Sequence, residues 1–455
     1  MSTKQIFAAV AASTAITTFA ATVPNISGVT MAQSTSSRLV TITYNVDAEA
    51  VITLDIQTNY TENAETKWAS IGGEAVWNAA GDVWKKVASG DHTITWRPDL
   101  SWPDHKIEGA SARAVVTAWS LDNTPDYMVV NLALDKTADG FLTFFPGEAY
   151  LPKSDYAQAK AITGNPEYKT NKLVMRKILA QGVTWTFGSS AVETQRQDDS
   201  GNHRETAKAV TLNDNYYIGV FEVTQRQWQS VTNRTAITVR PESLRANQCT
   251  GDMRPLDTVS RYPVRNTQSY LDDPPAGTFL AILRDLTGLN FDLPWDAQWE
   301  FAARAGWGSG YWGDGTAIQN SSADTNLDRL GRYNPEGSGN LPTDLTGTED
   351  PATGGTANVG SYEPNDWGLY DMYGNVWEIT LDSGSVITAD GTPSTGGSSL
   401  ALRGGSWCSP ASYCRPAMRW NGNSPLFGSN YGFGNTATQC QQAIGFRLAC
   451  PVGIQ

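Results

Sequence analysis

Residues 367–378, with the sequence Trp-Gly-Leu-Tyr-Asp-Met-Tyr-Gly-Asn-Val-Trp-Glu, constrain the fold more than any other stretch of the chain. Gly368, Gly374 and Asn375 lie there inside an apolar, aromatic run. Such residues weaken a helix interior, and they also break a strand because they favour tight-turn or left-handed backbone. We therefore predict a compact, irregular loop that is held in place by its own large side chains.

The same loop carries two carboxylates. Asp371 and Glu378 lie seven residues apart, and the peptide carbonyls of Gly374 and Val376 lie between them. Hard oxygen ligands on one continuous loop are those that Ca²⁺ prefers in proteins. The loop therefore predicts a calcium site, with the alternative that both carboxylates are solvated or cap nearby backbone donors.

The charge balance and the histidine count exclude several classes of function. A net charge of −13 disfavours binding to nucleic acid and to anionic membranes, and no basic run compensates for it. No two of the three histidines have His-x-x-x-His spacing, so the zincin motif is absent. His92 and His105 lie in the N-terminal third, so a Ser-His-Asp triad in the larger part would have to use His203. That residue lies in a polar run typical of an exposed loop.

Segment 1–32 is predicted as a signal peptide. Lys4 supplies the positive charge, and residues 6–23 are uncharged and rich in alanine. Cleavage after Ala20 or after Ala32 fits the sequence, and the Thr and Ser content disfavours an uncleaved membrane anchor. We expect an exported protein, periplasmic or extracellular, that is not an integral membrane protein after cleavage. Export permits disulfides, but five cysteines leave at least one thiol free or paired between chains.

At 455 residues the chain is long enough for two or three folding units. Residues 38–135 contain short β-branched and aromatic runs separated by turn residues, which predict an antiparallel, immunoglobulin-like β-sandwich without cysteines. Residues 136–172 are predicted as a linker, and residues 173–452 as an α+β domain. The predicted strands of the sandwich are 40–44, 51–56, 93–96, 114–119 and 127–132.

Three helices are predicted in the α+β domain. One begins at Thr224, which forms a capping box with Gln227. Another follows Pro275 and ends at Gly288, and the last spans residues 296–305. Residues 308–360 are rich in Gly, Asn, Thr and Asp, so they are too polar for a core and too long for a plain connection. Such a segment indicates stabilisation by a metal ion.

Together these stretches resemble the formylglycine-generating enzyme family, also called the sulfatase-modifying factor family. The matching stretches follow the order of the family and cover roughly residues 175 to 450. They are residues 184–189, 217–224, 293–306, 367–378, 402–407 (Leu-Arg-Gly-Gly-Ser-Trp) and 444–448 (Ile-Gly-Phe-Arg-Leu). The resemblance implies one compact α+β domain, related to C-type lectins, with little regular secondary structure and with bound Ca²⁺.

The resemblance assigns calcium ligands residue by residue. The calcium loop of the family uses an Asn or Asp side chain, two carbonyls and a Glu. The corresponding residues here are Asp371, Gly374, Val376 and Glu378. A second calcium site of the family begins with an Asn side chain and the next carbonyl, which match Asn326 and Leu327.

The resemblance also implies copper-dependent oxidation of a sulfatase cysteine to formylglycine, with two thiolates as ligands of Cu(I). The implied catalytic residues are Cys414, Cys408 and Ser406. The implied substrate-binding residues are Trp377, Tyr413 and Arg419. The family has Cys-x4-Cys, whereas Cys408 and Cys414 form Cys-x5-Cys, and alignment on Cys414 places Ser409 at the position of the first cysteine.

Three states of Cys408 and Cys414 remain open: a copper dithiolate, disulfide pairing, and thiols without a catalytic role. Two functions of different class follow. One is an exported oxidase of the formylglycine-generating type that acts on a sulfatase. The other is a non-catalytic, calcium-stabilised, lectin-like protein that binds a peptide, a glycan or another exported protein, with Trp420 and residues 421–435 as a candidate surface.

Overall fold

The structure is a computed structural model. It describes residues 23–106, 111–154, 161–194, 196, 205–233, 251–257, 259, 261–265, 272–319, 322–335, 355–383, 387–391, 400–421 and 444–454. Most of the predicted signal peptide, His203, Cys249, Cys440 and most of the candidate surface 421–435 lie outside these residues. Within the described ranges, every helix is too short or too polar to cross a membrane.

The N-terminal part consists of antiparallel strands. Their bounds are β1 Ile26–Gln33, β2 Val40–Val46, β3 Ala50–Glu62, β4 Glu65–Ser70, β5 Ala80–Gly81, β6 Lys86–Val87, β7 Gly90–Trp96 and β8 Ala112–Trp119, with a short helix, α1 Pro98–Ser101, after β7. One sheet has the order β1-β2-β7-β5, and in the other β3 pairs with β4, β6 and β8. The runs predicted at 40–44, 51–56, 93–96 and 114–119 lie within β2, β3, β7 and β8.

Alternation of side chains explains how the two sheets share a core. In β2, Val40, Ile42 and Val46 are buried, and the residues between them are partly buried or exposed, Tyr44 excepted. These buried residues of β2 belong to the same apolar cluster as the buried side chain of Ile52 in β3. The period of two in the sequence therefore places apolar residues of both sheets in one core.

Strand β1 lies almost wholly inside the segment predicted as a signal peptide. Residues Ile26 to Gln33 pair with Val46 to Val40 of β2 in antiparallel register. Cleavage after Ala32 would remove nearly all of this paired strand, whereas cleavage after Ala20 would leave it complete. The signal peptide itself stays a prediction, and β1 favours the earlier of its two cleavage positions.

The described residues of the C-terminal part contain more strands, and they also contain the helices of eight and nine residues. The strands are β9 Tyr127–Asn131, β10 Leu142–Phe145, β11 Lys172–Ile178, β12 Thr184–Phe187, β13 Lys208–Thr211, β14 Tyr216–Gly219, β15 Trp377–Ser383, β16 Leu400–Arg403, β17 Trp420–Asn421, β18 Ile444–Gly445 and β19 Ala449–Pro451. The helices are α2 Ala161–Gly164, α3 Gln225–Thr232, α4 Arg261–Val264, α5 Phe279–Thr287 and α6 Asp296–Arg304.

These strands form three sheets. The order is β10-β9-β11-β14-β19 in the largest sheet, β17-β16-β15-β18 in a second, and β12 pairs with β13 in a third. Residues 127–132, predicted as the last strand of the N-terminal sandwich, belong instead to the largest sheet, where β9 pairs with β10 and β11. The predicted linker 136–172 contains β10 and α2. Strand periodicity identifies a strand but not its partner, and for this reason the sequence placed β9 in the wrong sheet.

The three predicted helices are confirmed, and each has a local cause. Thr224 caps α3 and forms the predicted capping box with Gln227. Gly288 ends α5 in the left-handed conformation. Helix α6 was predicted to end at Ala305, before Gly306. It ends one residue earlier, at Arg304, because Ala305 itself adopts the left-handed conformation. Phe279 of α5 stacks on Trp228 of α3 with ring centroids 4.9 Å apart, so these helices share a core with the largest sheet.

Candidate functional site

Residues 367–376 form the irregular loop that the sequence predicts, with no helix or strand before β15 begins at Trp377. Asp371 and Asn375 have positive φ angles of 55° and 60°. Gly374 is required sterically, because a Cβ atom there would lie 2.0 Å from the Arg332 carbonyl oxygen. Residues 369–378 are all buried, so the loop is part of the core.

The loop connects segments that are distant in sequence. The Asn375 N–H donates to the Arg332 carbonyl at 2.7 Å, and the Asn375 Oδ1 accepts from the Ala357 N–H at 2.8 Å. The Gly374 N–H donates to the Gly404 carbonyl at 2.7 Å. The polar stretch 308–360 and the segment after β16 are therefore both held by this loop, through backbone and amide hydrogen bonds.

Glu378 is held by Arg447. Its Oε1 accepts from Arg447 Nη2 at 2.5 Å, and its Oε2 accepts from Arg447 Nε at 2.6 Å and from the Trp299 indole N–H at 2.7 Å. The side chains of Glu378 and Arg447 are 1 % and 0 % exposed. Water screens such a pair little, so its charge-assisted hydrogen bonds fix the start of β15 to the segment between β18 and β19.

Asp371 has one oxygen in use and one without a partner. Its Oδ2 accepts from the Gly360 N–H at 2.7 Å, whereas its Oδ1 is buried and has no hydrogen-bond partner among the described residues. Burial raises the pKa of Asp371 to about 6, although the Gly360 N–H and the charge of Arg447 oppose the rise. A buried oxygen of this kind is a position for a proton or for a cation.

A third carboxylate, which the sequence did not single out, lies beside the other two. Glu222 Oε2 accepts from Asn375 Nδ2 at 2.6 Å, and its Oε1 accepts from the Val376 N–H at 3.1 Å. Burial raises the pKa of Glu222 well above its usual range, and the negative charges of Asp371 and Glu378 raise it further. Glu222 therefore holds its proton more tightly than an exposed carboxyl group does, and three carboxyl groups share this buried site with the Arg447 guanidinium.

These residues fit a divalent cation at one end of the loop. The unpartnered Oδ1 of Asp371 and the three carboxyl groups buried together favour a cation there. Glu378 already has a cationic partner on both oxygens. No three His, Cys, Asp or Glu side chains of the described ranges converge as metal ligands, so a Ca²⁺ ion would depend on Asp371 together with carbonyl oxygens such as those of Gly374 and Val376.

The residues predicted for a second calcium site are arranged differently. The Leu327 carbonyl accepts from the N–H groups of Leu330 and Gly331 at 2.9 and 3.2 Å, so a short 3₁₀ turn uses both of its lone pairs. Asn326 Nδ2 donates to the Ala317 carbonyl at 2.8 Å. This turn does not fit a cation at the Leu327 carbonyl, and the second site stays a prediction.

Cys408, Ser406 and Ser409 lie together in one buried turn. Cys408 Sγ is 3.3 Å from Ser406 Oγ, which is 3.0 Å from Ser409 Oγ. Ser409 Oγ also accepts from the Ser406 N–H at 3.1 Å. The residue that the sequence resemblance aligns with the first cysteine, Ser409, therefore has its hydroxyl inside a local hydrogen-bond network.

Cys414 lies at the end of the next turn and is completely buried in an apolar cluster. Its Sγ is packed so closely against Gly405 that a Cβ atom there would lie 2.6 Å away. Burial raises the pKa of the Cys414 thiol far above its usual range, so the group is a protonated thiol at neutral pH. Cys408, Cys414 and Cys450 are buried and form no disulfide with one another, so the short-loop disulfide is not formed.

The residues predicted to bind substrate, with Trp420 of the candidate surface, separate into two sets. Trp377, Tyr413 and Trp420 form an aromatic cluster with ring centroids 6.0 to 6.5 Å apart, in which Trp377 is buried and the other two are half-buried. Arg419, predicted to bind substrate, is instead buried and paired with Asp296. Its side chain is 3 % exposed, so it stabilises the scaffold.

Comparison with known proteins shows which part of the chain resembles a known family. Residues 165–439 match the family described as "Sulfatase-modifying factor enzyme 1-like domain". The chain is 32 % identical over 151 residues to formylglycine-generating enzyme of Bos taurus and 34 % identical over 153 residues to formylglycine-generating enzyme of Streptomyces coelicolor. Each match covers 31 % of this chain, and 37 % and 45 % of the respective relative. The chain thus matches less than half the length of these relatives.

Some similar proteins have names other than formylglycine-generating enzyme. Serine/threonine-protein kinase pkn1 of Chlamydia pneumoniae is 32 % identical over 149 residues, which are 31 % of this chain and 20 % of that protein. Among solved structures, PvdO from Pseudomonas aeruginosa is 22 % identical with a TM-score of 0.44, and it covers 61 % of this chain and 94 % of its own. Treponema denticola variable protein 1 is 23 % identical with a TM-score of 0.40, covering 62 % and 95 %.

Proposed function

The chain belongs to the family of sulfatase-modifying factor enzyme 1-like domains, and from this premise we propose that it binds a cysteine-containing polypeptide of the sulfatase class without oxidising it. One observation carries the proposal. The resemblance aligns Ser409 with the first cysteine of the family, and the Ser409 hydroxyl is hydrogen-bonded to Ser406. A hydroxyl is a poor ligand for Cu(I), which prefers soft sulfur.

The remaining sulfurs support the same proposal. Cys414 is a buried, protonated thiol, whereas the thiolate is the form that binds metals and attacks carbonyl or disulfide groups. Cys408 is one residue away from the family's position and is hydrogen-bonded to Ser406. With a hydroxyl at the first position, the chain keeps the scaffold of the family and lacks a matched pair of sulfur ligands.

The binding surface of the proposal is the aromatic cluster of Tyr413, Trp420 and Trp377. Tyr413 and Trp420 are half-buried, and both pack on the buried Trp377 ring. Large rings held in place by a buried neighbour lose little conformational entropy on binding, and for this reason Tyr and Trp dominate many binding surfaces. The partner that the family name suggests is a sulfatase segment, and the proposed setting is the periplasm or the extracellular space.

Calcium has a structural role in the proposal. Asp371, with the carbonyls of Gly374 and Val376, would hold the ion, and Glu378 would contribute through the spare lone pair of its Oε1. A bound Ca²⁺ would neutralise the Asp371 carboxylate beside Glu222 and stiffen the loop. That loop in turn donates to the Gly404 carbonyl, two residues before Ser406.

The experiment is peptide binding followed by fluorescence anisotropy. A labelled peptide containing Cys-x-Pro-x-Arg is titrated with the full chain, and with the Tyr413→Ala and Trp420→Ala variants. Loss of either ring is expected to weaken binding by about tenfold, as for other aromatic contact residues. Trp307→Ala is the matched control, because Trp307 is an exposed ring outside this cluster and should bind like the parent. Absence of binding, or equal binding by all variants, contradicts the proposal.

A second candidate function is oxidation of the bound cysteine to formylglycine. The observation that favours it is the presence of two thiols in neighbouring turns, with Cys408 Sγ in contact with Ser406. The same peptide, incubated with the chain, Cu(I), O₂ and a thiol reductant, is analysed by mass spectrometry. Oxidation replaces the side-chain thiol by an aldehyde and lowers the peptide mass. Formation of this product with Cu-loaded protein supports the oxidase and removes the non-oxidising proposal.

A further inference from the structure

A pocket of 670 Å³ opens on the largest sheet, and none of its described lining residues is a predicted site residue. Its walls come from the turn between β13 and β14, the residues before α6, the C-terminal half of α5 and strand β19. The volume lies within the range of about 300 to 1,000 Å³ that is typical of small-molecule sites. The pocket is therefore large enough for a ligand of several rings.

The floor of the pocket is apolar and buried. Leu212, Leu293 and Ala449 are buried there, and Ala449 is hydrogen-bonded through its backbone to Asp292. Trp295 also lines the pocket, and its ring is only half-buried. An indole on an apolar floor offers a flat surface to the C–H face of a ring-shaped ligand, because the face of the indole carries partial negative charge.

The rim of the pocket is polar and unused by the protein. Asn213, Asp214 and Asn290 are exposed, and the described residues form no hydrogen bond or ion pair with their side chains. An amide offers donors and an acceptor, and a carboxylate offers acceptors only. A hydroxyl group needs both kinds of partner, so this mixture matches a ligand with many hydroxyl groups.

The charge of the pocket disfavours one class of ligand. Asp122, Asp214, Asp292 and Asp390 line it, against one cation, Arg284. Two carboxylates and a carbonyl already occupy that guanidinium: Asp273 at 2.9 Å, Asp292 at 2.8 Å and the Phe291 carbonyl at 2.8 Å. Asp292 is paired with both Arg284 and Arg265, so the three other aspartates supply the negative charge that disfavours phosphate and sulfate ligands.

We propose that this pocket binds a neutral oligosaccharide, with Trp295 stacked on a sugar ring and with Asn213, Asp214 and Asn290 hydrogen-bonded to hydroxyl groups. The site is separate in residues from the aromatic cluster of Tyr413 and Trp420, and it does not depend on what that cluster binds. A basic peptide would also be attracted by the acidic side chains of the pocket. The amides and the indole on an apolar floor favour the sugar.

The test is isothermal titration calorimetry on the full chain with chitohexaose, cellohexaose and mannohexaose as neutral probes. A heparin hexasaccharide is the anionic probe, and hexalysine is the basic one. We expect at least one neutral sugar to bind, and the heparin hexasaccharide to bind at least about tenfold more weakly. No binding of a neutral sugar at its solubility limit overturns the proposal. Binding of hexalysine in place of the sugars assigns the pocket to a basic peptide and overturns it as well.

Variants locate the binding. Trp295→Ala is expected to weaken the sugar by about tenfold or more. Because Trp295 precedes α6 and its loss could disturb folding, Asn213→Ala and Asp214→Ala on the exposed turn provide the same test without a change in the core. Trp307→Ala and Asp139→Asn are the controls, since both residues are exposed and lie outside the pocket. Equal sugar binding by all the pocket variants overturns the assignment.

Discussion

Replacement of Asp371 by Asn tests the electrostatics of the loop most sharply. In the folded protein, burial raises the pKa of Asp371 to about 6 from an ordinary value of 3.8. The carboxyl group therefore holds its proton more tightly in the folded chain than in the unfolded chain. Without calcium, the ionised group destabilises the protein above about pH 6, and this penalty disappears as the pH falls through 6 toward 4. A difference of about two pH units corresponds to about 3 kcal/mol.

Asn keeps the size of the side chain and removes the charge. In EDTA at about pH 7.5, we expect Asp371→Asn to raise the free energy of unfolding by up to about 3 kcal/mol. The gain should vanish near pH 4, where the parent is protonated. With calcium present the order should reverse, because the parent gains stability from the ion and the variant does not. Urea unfolding at three pH values, with EDTA or with calcium, measures all of these differences.

Asp296→Asn is the matched control. Asp296 is equally buried, and burial alone would raise its pKa, but Arg403 and Arg419 hold that pKa below its usual range. Removal of its charge takes one carboxylate from two buried guanidinium groups, of which Arg403 keeps Glu300, so this variant should lose about 3 to 5 kcal/mol at neutral pH. If Asp371→Asn loses stability in EDTA as Asp296→Asn does, the reasoning about Asp371 is refuted.

Three further predictions concern the scaffold. Arg447→Met leaves Glu378 buried without its cation and should lower the free energy of unfolding in urea by about 3 to 5 kcal/mol. Arg447→Lys should lower it less, and equal losses would contradict the pairing. Gly374→Ala places a Cβ atom 2.0 Å from the Arg332 carbonyl oxygen and should abolish soluble folded protein. The control is Gly277→Ala, at a similar positive φ with no neighbour within 4 Å, which should lower the free energy of unfolding by only about 1 to 2 kcal/mol. Thr224→Ala removes the capping box of α3 and should lower stability by about 1 kcal/mol; an unchanged melting temperature would contradict a role for the cap.

Local signals in the sequence predicted the local structure well. Gly374 and Asn375 inside an apolar run identified an irregular loop, and both residues have positive φ angles there. Thr224 with Gln227, and Gly288 after an apolar stripe, identified the ends of α3 and α5. Each of these signals acts over a few residues, so one sequence is sufficient to read it.

Long-range pairing escaped sequence analysis. Arg447 pairs with Glu378 across 69 positions, and Arg419 pairs with Asp296 across more than a hundred. The sequence shows each charge but not its partner, and the resemblance implied a substrate-binding role for Arg419 without showing its pairing with Asp296. Glu222 had a signal that was not used: it is a carboxylate between the buried residues Phe221 and Val223, where an acidic group needs a specific partner.

The single measurement that tests the account most directly compares the parent chain with Ser409→Cys. Both proteins receive Cu(I), O₂, a thiol reductant and the Cys-x-Pro-x-Arg peptide, and formylglycine is measured by mass spectrometry. The account predicts that the parent binds the peptide and forms no formylglycine, whereas Ser409→Cys, which restores a sulfur at the first position, binds copper more tightly than the parent. Formylglycine produced by the parent chain would contradict the account.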